Sequence, residues 1–216
     1  MILRTKILLI VEFLGIFVAI PLALVLGPQI VPPMPILWLA AAYGLIALYR
    51  DPNYRRSELW NPGPLRRQLS SMLLLFAMGI AVIGALVYEF AHPVLFSFVR
   101  AHPIVWALVM VLYPVLSVYP QGILFRAFLL HRYRNLFGAP PQKEKALILL
   151  SAFSFSLMHV VFRNWVAVAL TFAGGVLFAR RHLATRSLFV SSFEHALYGC
   201  FIFTVGLGQY FFAKLV

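Results

Sequence analysis

The 216-residue chain is 62% hydrophobic and only 11% charged, with a mean hydropathy of +0.92. Soluble domains carry about 25% charged residues, so this composition excludes a water-soluble globule and puts the chain in a bilayer. The net charge of +12 in so apolar a chain belongs to the Lys/Arg excess of cytoplasmic loops, not to nucleic-acid binding. The single Cys200 excludes an internal disulfide framework and any multi-cysteine metal site.

A membrane-spanning helix needs about 20 mostly apolar residues. Seven runs qualify, at 7–27, 34–49, 69–90, 104–126, 145–163, 165–180 and 187–207. The first follows Arg4 and Lys6 and so invites a signal-peptide reading. It is also about 20 residues long, contains Glu12 and lacks a small-x-small cleavage site, which makes it a membrane span. The loop 50–68, RDPNYRRSELWNPGPLRRQ, is expected in the cytoplasm, with Tyr54 and Trp60 at headgroup level and its arginines facing anionic lipid.

Basic residues test the alternation. With the N-terminus cytoplasmic, the inside set is Arg4, Lys6, Arg50, Arg55, Arg56, Arg66, Arg67, Arg132, Arg134, Lys143, Lys145, Arg180, Arg181 and Arg186. The outside set is only Arg100, Arg163 and Lys214, and Arg126 stays in the membrane. The expected fold is therefore an all-α polytopic bundle of about seven transmembrane helices with a cytoplasmic N-terminus. It forms one integral domain over residues 1–216, in the cell's inner membrane.

Ionisable groups at membrane depth are expensive and count as functional candidates. They are Glu12, Arg126, His159, Glu194 and His195, with Glu89 near a segment end. Arg126 has no acidic neighbour in sequence, so an acceptor from another helix is expected to hold it, with Glu194 the leading choice and backbone carbonyls the alternative. His159 and His195 lie on separate apolar helices and suit a shared metal or a polarised carbonyl. Two unrelated histidines, each hydrogen-bonded locally, are the alternative. Phe155 shares a helix face with His159, Gly199 shares one with His195, and Tyr198 is placed to reach the same cavity. Glu194 points about 100° from His195 and is expected to pair with another helix. Gly174 and Gly175 are expected to allow close helix packing.

These motifs resemble the intramembrane CAAX-protease and bacteriocin-processing family, which includes the eukaryotic prenyl-protein endopeptidase. That family shows Glu-Glu-x-x-x-Arg, then Phe-x-x-x-His, then His-x-x-x-Asn on successive membrane helices. Here Gln121-Gly122-Ile123-Leu124-Phe125-Arg126 stands in the first place, Phe155–His159 in the second and His195–Gly199 in the third. The motif-bearing core is residues 104–207. The resemblance implies an intramembrane endopeptidase acting on hydrophobic or prenylated peptides, with membrane lipids around it and no nucleic-acid partner. It implies site residues Gln121, Gly122, Arg126, His159, His195 and Glu194, and zinc, if present, on His159 and His195.

The departures bear on activity. Both family glutamates are replaced, and Gln121 keeps the hydrogen bonding of Glu but accepts no proton as a base. Glu194 or Glu12 would have to substitute, and restoring Glu at 121 and 122 is expected to raise cleavage. A catalytically silent peptide-binding or scaffold protein of the same family is the alternative. A transporter would also explain intramembrane charge, but the seven runs show no inverted repeat. The site is expected in the cytoplasmic half of the membrane, near Gln121.

Overall fold

The computed structural model describes residues 3–27, 32–139 and 141–211, so Lys214 lies outside the described residues. Among the described residues, seven helices long and apolar enough to cross a membrane follow one another. They are α1 Leu3–Leu26, α2 Pro33–Arg50, α3 Leu65–Phe90, α4 Pro103–Arg132, α5 Gln142–Phe162, α6 Trp165–Thr185 and α7 Leu188–Val205. Local chemistry sets several ends. Pro33 and Pro103 open α2 and α4, where the missing N–H is no loss. The Asn164 side chain accepts from Ala167 N to cap α6, and Ser187 accepts from Val190 N to cap α7.

Leu39, Ile104 and Val111 are 72, 76 and 69% exposed, whereas Arg126 and Glu194 are 1 and 0% exposed. Large apolar side chains thus face outward, as a bilayer solvent requires, and scarce polar groups face in. Gly175 lets α6 approach α5, since a Cβ there would stand 2.7 Å from Ala152 Cα. Gly174 differs: its missing Cβ faces the Phe178 ring at 2.9 Å, not a neighbouring helix.

Connections gather at two poles. At one, Glu58 pairs with Arg186 at 3.2 Å, Ser187 Oγ donates to Asn61 O at 2.6 Å, and Asp51 meets His131 at 2.8 Å. At the other, Phe96 N donates to Val205 O, Arg163 Nη2 to Val25 O and Asn164 Nδ2 to Tyr210 O. The first pole carries the basic loop 50–68. Tyr54 departs from its headgroup expectation: it is buried, edge-on to His131 at 4.9 Å. Trp60 stays exposed and packs on Tyr119 and Phe189. Glu12 anchors α1 to the end of α4, accepting from Arg132 Nε and Nη2 at 3.0 and 2.8 Å and from the Tyr133 and Tyr43 hydroxyls.

α4 is the irregular helix. It runs to Arg132, six residues beyond its expected end, and winds as π-helix over Pro114–Val118 and Ile123–Phe128. Pro114 and Pro120 each remove a backbone donor from the helix interior, which the wider turns accommodate. Arg126 rides on the second π segment.

Candidate functional site

A cavity of about 830 Å³ lies within the bundle, and its lining is overwhelmingly apolar. Gln121 from α4, His159 from α5 and His195 from α7 all line it, together with Tyr113, Phe155 and Phe178. The three motif positions 121, 159 and 195 therefore converge. Tyr198 and Gly199 line the same space, as the helix spacing suggested.

Its depth differs from expectation. The lining comes from the start of α2, the second half of α3, the end of α5 and the second half of α7. Those segments adjoin the pole of Arg100 and Arg163, so the cavity lies in the half of the bundle remote from the basic loop. Two facts explain the difference: α4 continues past Arg126, and His159 stands at the far end of α5, where it tightens into a 3₁₀ turn.

Each polar side chain has a defined setting. His159 Nδ1–H donates to Phe155 O at 2.7 Å, one turn back, which turns Nε2 away from the helix. The Phe155 ring lies between the histidines, 4.7 Å from the His159 ring and 5.4 Å from that of His195. Phe178 stacks on the His195 ring at 4.5 Å and an interplanar angle of 24°. His195 Nε2 is 3.4 Å from the Tyr113 hydroxyl, and its Nδ1 has no hydrogen-bond partner among the described residues. Gln121 Nε2 donates to Ser117 Oγ at 2.8 Å, and Oε1 has no partner among the described residues.

The remaining sequence candidates do not line the cavity. Gly122 packs against α7: a Cβ there would meet Leu188 Cδ1 and Ser192 Oγ, each at 2.8 Å. Glu194 does pair with another helix, but not with Arg126. Arg181 of α6 grips both its oxygens, Nε to Oε2 at 2.9 Å and Nη2 to Oε1 at 2.8 Å. Arg181 also donates to Gln68 and Ser71 of α3, so it belongs to the bundle interior and not to the cytoplasmic loop set. Arg126 has no acceptor for any guanidinium nitrogen among the described residues. Its charge lies over aromatic faces instead, 4.3 Å from the Phe155 centroid and 5.2 Å from that of Phe178.

Residues 100–201 match the family described as type II CAAX prenyl endopeptidase Rce1-like. That match covers just under half of the chain and supports a place in the CAAX-protease family. No curated protein and no solved structure matches it. Among CAAX-protease-like features, the converging histidines are present and the paired glutamates are not. Zinc was one expectation for His159 and His195. Catalytic zinc takes three protein ligands plus water, and no group of three His, Cys, Asp or Glu residues is placed to hold a metal among the described residues. The donor set does not fit zinc.

Sequence reasoning missed Tyr113, Phe178 and the Arg181–Glu194 pair. The pair left a signal: residues 181 and 194 lie six and seven positions either side of Ser187, the turn of an α6–α7 hairpin, and so face each other. Tyr113 left none, because its neighbours lie more than 80 residues away.

Proposed function

We propose that this protein is an intramembrane endopeptidase-type member of its family that binds an apolar or prenylated peptide segment in the cavity, with an impaired hydrolytic step. One observation carries the reading: the cavity brings Gln121, His159 and His195 together, and no carboxylate lines it among the described residues. Glu12 and Glu194 have their oxygens engaged by arginines, which argues against either as a base. Binding draws on the apolar walls and on Gln121 Oε1, which can accept from a peptide N–H. His159 presents Nε2 to the cavity, but the amide at 121 takes no proton from water. Loss of a positioned acid–base group lowers rates by about 10²–10⁴-fold. The cavity's exposed lining residues, Val82, Leu86, Leu108 and Leu112, support entry from the lipid side, between α3 and α4.

The decisive assay uses a farnesylated CAAX-type peptide and three proteins: unaltered, Gln121→Glu, and Gln121→Glu with His195→Ala. The single variant should cleave at least about 10²-fold faster than the unaltered chain, and His195→Ala should remove that gain. Gly122→Glu is left out, since its side chain would strike Leu188 and Ser192. Strong cleavage by unaltered protein, abolished by Glu194→Gln, would overturn the reading. Peptide binding with no cleavage by any variant would favour the silent scaffold.

The basic pole belongs in the cytoplasm of a cell-membrane protein, because 13 of the 18 Lys and Arg residues still fall on the inside of the alternation once Arg181 is assigned to the bundle interior. Introduced cysteines at Ser57 and Phe98 should react with impermeant label from opposite sides. Labelling of both from one side would refute this orientation.

A further inference from the structure

Position 199, where the family motif ends in Asn, is glycine, and the space its side chain would take is filled. A Cβ on Gly199 would stand 2.3 Å from Tyr113 Cε1 and 2.4 Å from the Tyr113 hydroxyl oxygen. Neither contact is tolerable, so glycine at 199 and tyrosine at 113 are one steric unit. The Tyr113 ring comes from α4 and packs edge-on against Phe203 at 5.2 Å. Its hydroxyl ends 3.4 Å from His195 Nε2, and both groups face the cavity.

That separation exceeds the usual length of a formed O–H···N or N–H···O bond. The contact is therefore long and weak, and an incoming acceptor can draw both groups away from each other. Phe178, stacked on the imidazole, fixes the His195 ring plane and turns its edge toward Tyr113. Two polar groups on a rigid apolar wall, this close together, can direct hydrogen bonds at one shared oxygen between them. A peptide carbonyl is the chemical class that fits, since it has two lone pairs and arrives with an apolar segment.

We infer that Tyr113 and His195 form a carbonyl clamp, in which Tyr113 supplies from α4 the polar group that the chain lacks at position 199. This rests on the peptide-binding reading above.

The test measures equilibrium binding in detergent of two probes, a farnesylated CAAX-type tetrapeptide and farnesol, which has no carbonyl. Tyr113→Phe keeps the ring that fills the space at Gly199, so its thermal unfolding should match the unaltered protein. It should bind the tetrapeptide about 3–10-fold more weakly, the worth of one neutral hydrogen bond, and bind farnesol unchanged. The infrared band of a ¹³C-labelled peptide carbonyl should move to higher frequency in Tyr113→Phe, a change that lost packing would not produce. Gly199→Asn should lose tetrapeptide binding, and adding Tyr113→Ala should restore it by vacating the space. If the unaltered protein binds neither probe, the peptide-binding reading falls and takes the clamp with it. If it binds both, and Tyr113→Phe changes neither the tetrapeptide affinity nor the carbonyl band, only the clamp is overturned.

Discussion

Two arginines are buried in the same bundle, and their surroundings treat them in opposite ways. Arg181 meets the Glu194 carboxylate through two parallel bonds and reaches Gln68 and Ser71 with its third nitrogen. Among the described residues, Arg126 meets no hydrogen-bond acceptor and lies over the faces of Phe155 and Phe178. The first arrangement ties α3, α6 and α7 together with a planar fork that suits a carboxylate. The second offsets part of the charge through ring quadrupoles and satisfies no donor. The family's glutamate positions lie four and five residues before Arg126, on its own helix, and here they hold Gln121 and Gly122. The contrast separates a charge paired across helices from one held against aromatic rings.

The largest effect should come from breaking the Arg181–Glu194 pair. Removing one partner strands a buried charge and costs about 3–5 kcal/mol. Arg181→Met should therefore lower the unfolding temperature in detergent by roughly 6–20 °C, at about 2–4 °C per kcal/mol. Arg181→Met with Glu194→Leu should recover most of that loss. Singles as stable as the unaltered protein would erase the distinction between the two arginines.

Arg126→Met should do much less, within about 2 kcal/mol of the unaltered protein, because it removes a cation–π contact and no hydrogen bond. Thermal unfolding of the two Arg→Met variants side by side measures the contrast directly. A loss at Arg126 equal to that at Arg181 would reveal an acceptor the side-chain geometry does not show.

Smaller effects belong to the basic pole. Burial tends to raise the Asp51 carboxyl, but its hydrogen bonds with His131 and Asn53 together outweigh this and hold it below the usual range. A lowered carboxyl stabilises the fold above its unfolded value and loses that contribution as pH falls through its folded value. Glu58 is raised by burial, against the pull of Arg186, so its ionised form costs stability that acid relieves. Asp51→Asn should lose roughly 0.2–1 kcal/mol at neutral pH and show less acid destabilisation below about pH 4, while Glu58→Gln should not. Unfolding curves from pH 3 to pH 7 would expose a sign error in either.

The smallest effect is the one expected from metal removal. Two histidines without a third ligand should hold no stoichiometric zinc, so EDTA should change neither unfolding temperature nor peptide binding. Elemental analysis showing one zinc per chain, lost in His159→Ala, would contradict the donor count.

Much of this protein was legible along the chain. The seven spans follow from apolar run length alone, because a bilayer demands internal backbone hydrogen bonding over a fixed thickness. The expected and observed spans differ mainly at α4, whose end at Arg132 is hidden by a charge pointing back to Glu12. The three-part motif also drew attention to positions 121, 159 and 195, which line one cavity.

The partners of charges were not legible, because pairing depends on which helix faces turn toward each other. Sequence placed Arg126 and Glu194 in the membrane as two unpaired opposite charges and joined them. Tertiary packing gave Glu194 to Arg181 across the α6–α7 hairpin and left Arg126 among rings. Packing likewise decided that Tyr113 fills the place of the side chain absent at 199, and that the cavity lies away from the basic loop. Hydropathy fixes how often a chain crosses the membrane, but it carries no information on helix rotation, and rotation determines which polar groups meet.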